Sequence, residues 1–263
     1  MKTRLLWRAA AALMLVLFAL PLASCGSGLF PTRLNVTFTG EIVEQPLIDG
    51  ERLTQVIVRD ISPLVRAVAD GEAPRLNIVL EPGETYGAWL EAPKDMFEHV
   101  SAVVRGGTLI VSGDKDINYD FPRATLRITA PSLAYLELNG IVDLYSAAPF
   151  VSDKTEVVCN GVSAFDAAWD VRELTLTLNG TVSGQAYGTA QRLNIKLNGA
   201  GDLDAAGLIG RDVTVTINGA GKVAVGAEKN LNAVINGAGD VVYYGAPKVV
   251  QRIAGLGRVT AGE

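Results

Sequence analysis

His99 is the sole histidine in the 263-residue chain, so a Ser-His-Asp or Cys-His nucleophile could only be assembled around it. It sits beside Glu98 in a polar stretch and reads as a surface side chain. Cys159 occupies the place that Leu197 and Ile217 take in equivalent segments, on the parity that faces a core. It reads as a small buried hydrophobe, not as a reactive thiol. Asp114, Asp116, Asn118 and Asp120 alternate as at the start of an EF-hand loop, but the sixth position is Tyr119 where that loop needs Gly, and the twelfth is Thr125 where it needs Glu. A solvated loop is expected there, with no metal. Gly-x-Gly pieces such as Gly199-Ala200-Gly201 lack the third glycine and the strand-to-helix setting of a dinucleotide loop. No catalytic residue, cofactor or metal is assigned.

The one covalent chemistry the sequence suggests lies at its start. Lys2, Arg4 and Arg8 precede an apolar run from Ala9 to Leu20, the pattern of an export signal too short to cross a bilayer as a stable helix. Leu22-Ala23-Ser24-Cys25 follows and resembles a bacterial lipobox. The resemblance implies cleavage after residue 24 and acylation of Cys25 on its sulfur and its amino group. Two or three chains, each contributing about 0.8 kcal/mol per buried CH₂, hold a protein to a membrane far more firmly than one. Gly26, in place of Asp, resembles the class sorted to the outer membrane, facing the periplasm or the cell surface.

Removing residues 1–24 deletes three basic and no acidic side chains from totals of 23 and 28, which leaves 20 against 28, or about −8. Nucleic acid and anionic lipid surfaces are bound through clustered Lys and Arg, so neither is an expected partner. Two Cys, one of them claimed by lipid, exclude a disulfide framework. The 28 Gly, the many Val, Leu and Thr, and the scarcity of long helical patterns point to an all-β chain.

What must position any site is a repeat. Leu136-Glu-Leu-Asn-Gly, Val157-Val-Cys-Asn-Gly, Leu176-Thr-Leu-Asn-Gly, Ile195-Lys-Leu-Asn-Gly, Val215-Thr-Ile-Asn-Gly, Ala233-Val-Ile-Asn-Gly and a degenerate Gln251-Arg-Ile-Ala-Gly recur at spacings of 21, 19, 19, 20, 18 and 18 residues. Apolar residues alternate inside each unit, as Leu193, Ile195 and Leu197 do against Asn194 and Lys196. A unit this short buries too little to fold alone and must stack on its neighbours. Each unit could be one coil of a parallel β-helix, or each Asn-Gly could close a two-residue hairpin. The coil is preferred, because hairpins would not require the same residue at the same place in six units. A stack does: Asn139, Asn160, Asn179, Asn198, Asn218 and Asn236 would form a ladder of amides bonded up and down.

Ala130-Pro-Ser-Leu-Ala-Tyr-Leu-Glu-Leu-Asn-Gly, the Asn-Gly-Ala-Gly units and Gly237-Ala-Gly-Asp-Val-Val-Tyr-Tyr-Gly-Ala-Pro resemble the putative auto-transporter adhesin, head GIN domain family over roughly residues 55 to 260. Members usually carry Ser-Gly-Ser-Gly where this chain has Asn-Gly-Ala-Gly. The resemblance implies a right-handed single-stranded parallel β-helix and brings no catalytic residues.

Residues 25–33 read as a tether, 34–130 as a β-rich N-terminal region that caps the stack, and 131–263 as the repeats. Within 34–130, strands are expected at 34–39, 55–59, 75–80, 100–104, 107–112 and 124–129, a short helix at 63–69 and one turn at 94–98. β-helices also host polysaccharide lyases and hydrolases, which gather carboxylates on one outer face. Four residues after each ladder position this chain has Asp143, Ala164, Ser183, Asp202, Lys222, Asp240 and Arg258. The alternation in the last four reads as a charge-neutral ladder that holds register. At the C-terminal end, Arg252 and Arg258 read as charges protecting an unpaired edge, the alternative being a working edge that accepts a strand from a partner or a second copy. The function expected is a membrane-anchored, non-enzymatic binding, adhesin-like or structural lipoprotein whose partner is an envelope protein or glycan. A carbohydrate-active enzyme using Asp202 or Asp204 is the alternative.

Overall fold

The structure, a computed structural model, describes residues 33–61, 63 and 75–263. The expected signal peptide and tether, with Cys25, up to residue 32 and the helix expected beyond residue 63 lie outside the described residues. In chain order the strands are β1 (Leu34–Thr37), β2 (Ile42–Asp49), β3 (Gln55–Arg59), β4 (Leu76–Pro82), β5 (Gly87–Pro93), β6 (Val100–Arg105), β7 (Thr108–Gly113), β8 (Ile117–Asp120), β9 (Ala124–Ala130) and β10 (Tyr135–Ser146). The repeats follow as β11 (Phe150–Leu197), β12 (Ala200–Ile217), β13 (Ala220–Ile235), β14 (Ala238–Tyr244), β15 (Lys248–Ile253) and β16 (Leu256–Ala261). A 3-10 turn spans Lys94–Glu98. The described chain is all-β.

Alternation makes these strands. In β9, Ala124, Leu126, Ile128 and Ala130 are buried while Thr125, Arg127 and Thr129 are half-exposed, which is the two-residue period of a strand with one face on a core. The same parity runs through β10 to β13, so Leu136, Leu138, Val157, Leu176, Leu178, Ile195, Leu197, Val215 and Ile217 share one interior. Trp169, fully buried, meets Phe150 edge-on with ring centroids 6.4 Å apart.

Each repeat pairs with the next in parallel: Asn139 faces Asn160 and Gly140 faces Gly161, Leu197 faces Ile217, Ile217 faces Ile235, and Asp240 faces Arg258. Pairing between repeats is therefore side by side, not folded back through hairpins at Asn-Gly. The larger sheet is mixed. It runs parallel from β16 through β14, β13, β12, β11, β10 and β4 to β9, then turns antiparallel at β5 and β2.

The N-terminal region has a connectivity that no local pattern announces. β3 and β4 pair in parallel with β10 on one side and with β7 and β9 on the other, so the segment 55–82 is sandwiched between the rung of β7 and β9 and the first repeat. Antiparallel β6 on β7 and antiparallel β5 and β2 beyond β9 finish that end. Strands β2, β5 and β8 fall outside the expected runs. The expectation of a solvated loop at 114–120 is corrected: Ile117–Asp120 is β8, paired in parallel with β1, with Ile117 and Tyr119 buried and Asn118 and Asp120 facing outward. The polar alternation that imitated an EF-hand is the outer face of a strand. Asn118 donates to Asn35 at 2.9 Å and Thr37 to Asp120 at 3.0 Å across that pair.

Candidate functional site

The six asparagines come together in one column. Asn160 Nδ2 donates to Asn139 Oδ1 at 2.8 Å, Asn179 to Asn160 at 2.8 Å, Asn198 to Asn179 at 2.7 Å, Asn218 to Asn198 at 2.7 Å and Asn236 to Asn218 at 2.7 Å. At the bottom, where β3 offers Arg59 in place of Asn, Asn139 Nδ2 turns to the Val58 carbonyl at 2.8 Å. Each amide from Asn139 to Asn218 thus both donates and accepts, Asn236 at the far end donates, and removing an inner one such as Asn198 orphans two neighbours. Replacing Asn198 by Leu is expected to cost about 1 to 2 kcal/mol, the lower part of the range for an unpaired polar group because water reaches this corner. Equilibrium denaturation checks it, and an unchanged midpoint would show the amides to be merely solvated.

The charged column outside the stack is bonded vertically as well. Arg258 Nη2 donates to Asp240 Oδ2 at 3.1 Å and its backbone N–H to Oδ1 at 3.2 Å. Asp202 Oδ1 accepts from the Lys222 backbone N–H at 2.9 Å, and Asp143 pairs with Arg75 at 2.7 Å. Asp204 Oδ1 accepts from the Ala206 N–H at 3.1 Å. These carboxylates are engaged in holding strands and corners, and they are not gathered around a common point. Elsewhere on the surface Arg172 meets Asp153 at 3.4 Å and Arg192 meets Glu173.

Cys159 is 1% exposed, and burial pushes its thiol up to about 12, against a smaller opposing effect of the Ser163 hydroxyl. A thiol held neutral that deep is neither nucleophile nor metal ligand at neutral pH. His99 is less exposed than its polar neighbours suggest: its ring packs edge-on against Phe38 at 5.6 Å, and its Nδ1 lies 3.5 Å from Asp114 Oδ2. Tyr119 Oη donates to the His99 carbonyl at 2.7 Å, and Phe38 stacks on Tyr119 with ring centroids 5.4 Å apart, so the three rings form one packed cluster. Burial also raises Tyr119, and it raises Tyr135 to about 12 with help from the hydrogen bond to Glu137. Among the described residues no group of three His, Cys, Asp or Glu is placed to hold a metal.

Apolar groups are left open along the C-terminal end. Leu256 is 83% exposed and Val250 57%, and Ile253 and Tyr244 are also exposed. Among the described residues no element lies over β15 or β16. Lys248 and Arg252 stand along this edge with Arg258, and a shallow groove of about 290 Å³ beside it is lined by Asp212, Thr214, Asn230, Asn232, Lys248 and Val250. Composition alone could not single out this end, because the same apolar parity is buried in every preceding repeat.

Comparison with known proteins bears on the fold. The family model described as putative auto-transporter adhesin, head GIN domain matches residues 72–247. The crystal structure of a putative adhesin from Bacteroides fragilis superposes with a TM-score of 0.73 at 18% identity, covering 86% of this chain and 99% of that one. A putative adhesin from Parabacteroides merdae gives 0.60 at 18% identity over 87% and 99% of the two chains. A protein from Parabacteroides distasonis, described as a putative lipid binding protein, gives 0.61 at 16% identity over 87% and 100%. No curated protein matches the sequence.

Proposed function

Because the chain belongs to the putative auto-transporter adhesin, head GIN domain family, we propose that it is a non-enzymatic, adhesin-like binding module of the cell envelope, held to a membrane by lipid on Cys25. The repeats are read as a right-handed single-stranded parallel β-helix, finished at the N-terminal end by β2, β5 and β6. The observation that carries this reading is the unbroken vertical bonding of the Asn column, coil upon coil, with the carboxylates of the outer face engaged in the same vertical order. Such a body is rigid and carries a repetitive polar surface, suited to presenting a binding surface along its length rather than to enclosing a substrate.

The signal segment, the Leu22-Ala23-Ser24-Cys25 motif and the Gly26 that follows support an anchor in the outer membrane. Cys25→Ala should leave the chain as uncleaved precursor or as soluble protein, with labelled palmitate entering only the unmodified sequence. Absence of label in the unmodified chain would remove the anchor from this proposal. Hydrolysis of an envelope glycan by the purified protein, lost on replacing Asp202 or Asp204, would overturn the non-enzymatic reading.

A further inference from the structure

The two ends of the larger sheet carry complementary residues on one line. The column that ends at Arg258 runs through Asp240, Lys222, Asp202 and Ser183 on one side, and from Asp143 to Asn77, Thr125, Glu91 and finally Glu44 on the other. A half-free cation therefore closes one end of the register line and a half-exposed carboxylate closes the other: Arg258 is 74% exposed and Glu44 52%. Strand direction matches as well. β2 is antiparallel to β5, and β5 to β9, which restores for β2 the direction shared by β9, β4 and β16.

We propose that copies of this chain stack head to tail, β16 of one copy pairing in parallel with β2 of the next. Simple translation along the stack brings Arg258 over Glu44 of the next copy, continuing the alternation Asp202, Lys222, Asp240, Arg258 by one more opposite charge. Two residues earlier on each strand, Leu256, the most exposed of the large apolar residues, meets Ile42. The tail edge as a whole is basic, with Lys248, Arg252 and Arg258, and β2 with its flank is acidic, with Glu41, Glu44 and Asp49.

Tail-to-tail pairing is disfavoured by the same residues, because antiparallel strands related by a two-fold axis at Gly255 would set Arg252 against Arg258. Pro46 would face Thr260 and has no N–H to give, so the shared ladder is short, and charge and apolar contact must supply most of the attraction. A head-to-tail contact does not close on itself and so builds a filament. The stacking stands on this geometry alone. Its orientation rests on the anchor proposed above: nine residues from Cys25 to Arg33 reach about 30 Å at full extension, less than the roughly 50 Å of the stack, so the filament would lie along the membrane.

Cysteines at both ends test it in the full chain on the membranes of producing cells. The variant carrying Glu44→Cys and Arg258→Cys should oxidise to a ladder of dimers, trimers and longer species, since neighbouring strands bring Cα atoms within disulfide range. The variant carrying Arg252→Cys and Arg258→Cys with Glu44 intact should give no dimer; a dimer there would mean tail-to-tail contact and would overturn the proposal. In sedimentation of the detergent-solubilised chain, Glu44→Arg and Arg258→Glu should each weaken association about tenfold, the effect of turning an attractive cross-strand pair into a repulsive one, and the combined charge swap should restore it. An unchanged Glu44→Arg, or stronger association on Arg258→Val as a merely repellent edge would give, rejects the model. A ladder that persists in soluble Cys25→Ala chains would leave the stacking intact, and a ladder lost with the unmodified Cys25 in place would reject the stacking and leave the anchor.

Discussion

Gly180→Ala should cost about 4 kcal/mol or more, lowering Tm by roughly 8 to 16 °C for a domain of this size. Two effects coincide at this corner. Gly180 sits at φ +134°, a region that side chains rarely enter, and a Cβ there would lie 2.0 Å from the Gly161 carbonyl oxygen of the repeat below. The clash is with backbone on a rung that is itself pinned by the next, so nothing nearby can give way cheaply. Gly50 supplies the control: it also has positive φ, at +76°, but nothing lies within 4 Å of its missing side chain. Gly50→Ala should therefore cost only about 1 to 2 kcal/mol of conformational strain. Thermal unfolding of the two variants measures the difference, and equal losses would show that close stacking of the glycine corners contributes nothing.

Trp169→Ala should destabilise by about 3 to 5 kcal/mol, since the largest fully buried side chain leaves a void between repeats that β-strand pairing prevents from collapsing. Trp169→Phe should cost less than a third of that. It keeps an aromatic ring against Phe150, and it removes the indole Nε1–H, which is buried without a hydrogen-bond partner. The desolvation of that orphaned donor, about 1 to 3 kcal/mol, offsets the lost volume. Calorimetry on both variants decides between packing and polarity: equal losses for Ala and Phe would mean that the aromatic contact fills no essential space.

The repeats were readable because their information is local and periodic. Two-residue alternation told which of Leu193, Asn194, Ile195 and Lys196 faces inward, and Asn-Gly at intervals of 18 to 21 residues told which positions share a column. Once strands pair in register, equivalent residues must meet, so Asn198 could reach only Asn179 and Asn218. Cys159 was placed in the core by the same parity. The N-terminal region lacked a period, and there local pattern failed in particular ways. Asp116, Asn118 and Asp120 looked like a solvated loop because their inward partners, Ile117 and Tyr119, were too few to register as a strand, and only pairing with β1 makes it one.

The sequence by itself determined the all-β character, the repeat, its register and the identity of the stacked residues, because each follows from spacing along the chain. Tertiary structure alone decided that residues 55–82 lie between the rung of β7 and β9 and the first repeat, and that β2 ends the sheet beyond β5. It also decided that Glu44 and Arg258 close opposite ends of one column. These are pairings between segments far apart in sequence, selected by which edges are left to satisfy after the local strands have formed, and no interval in the chain encodes them.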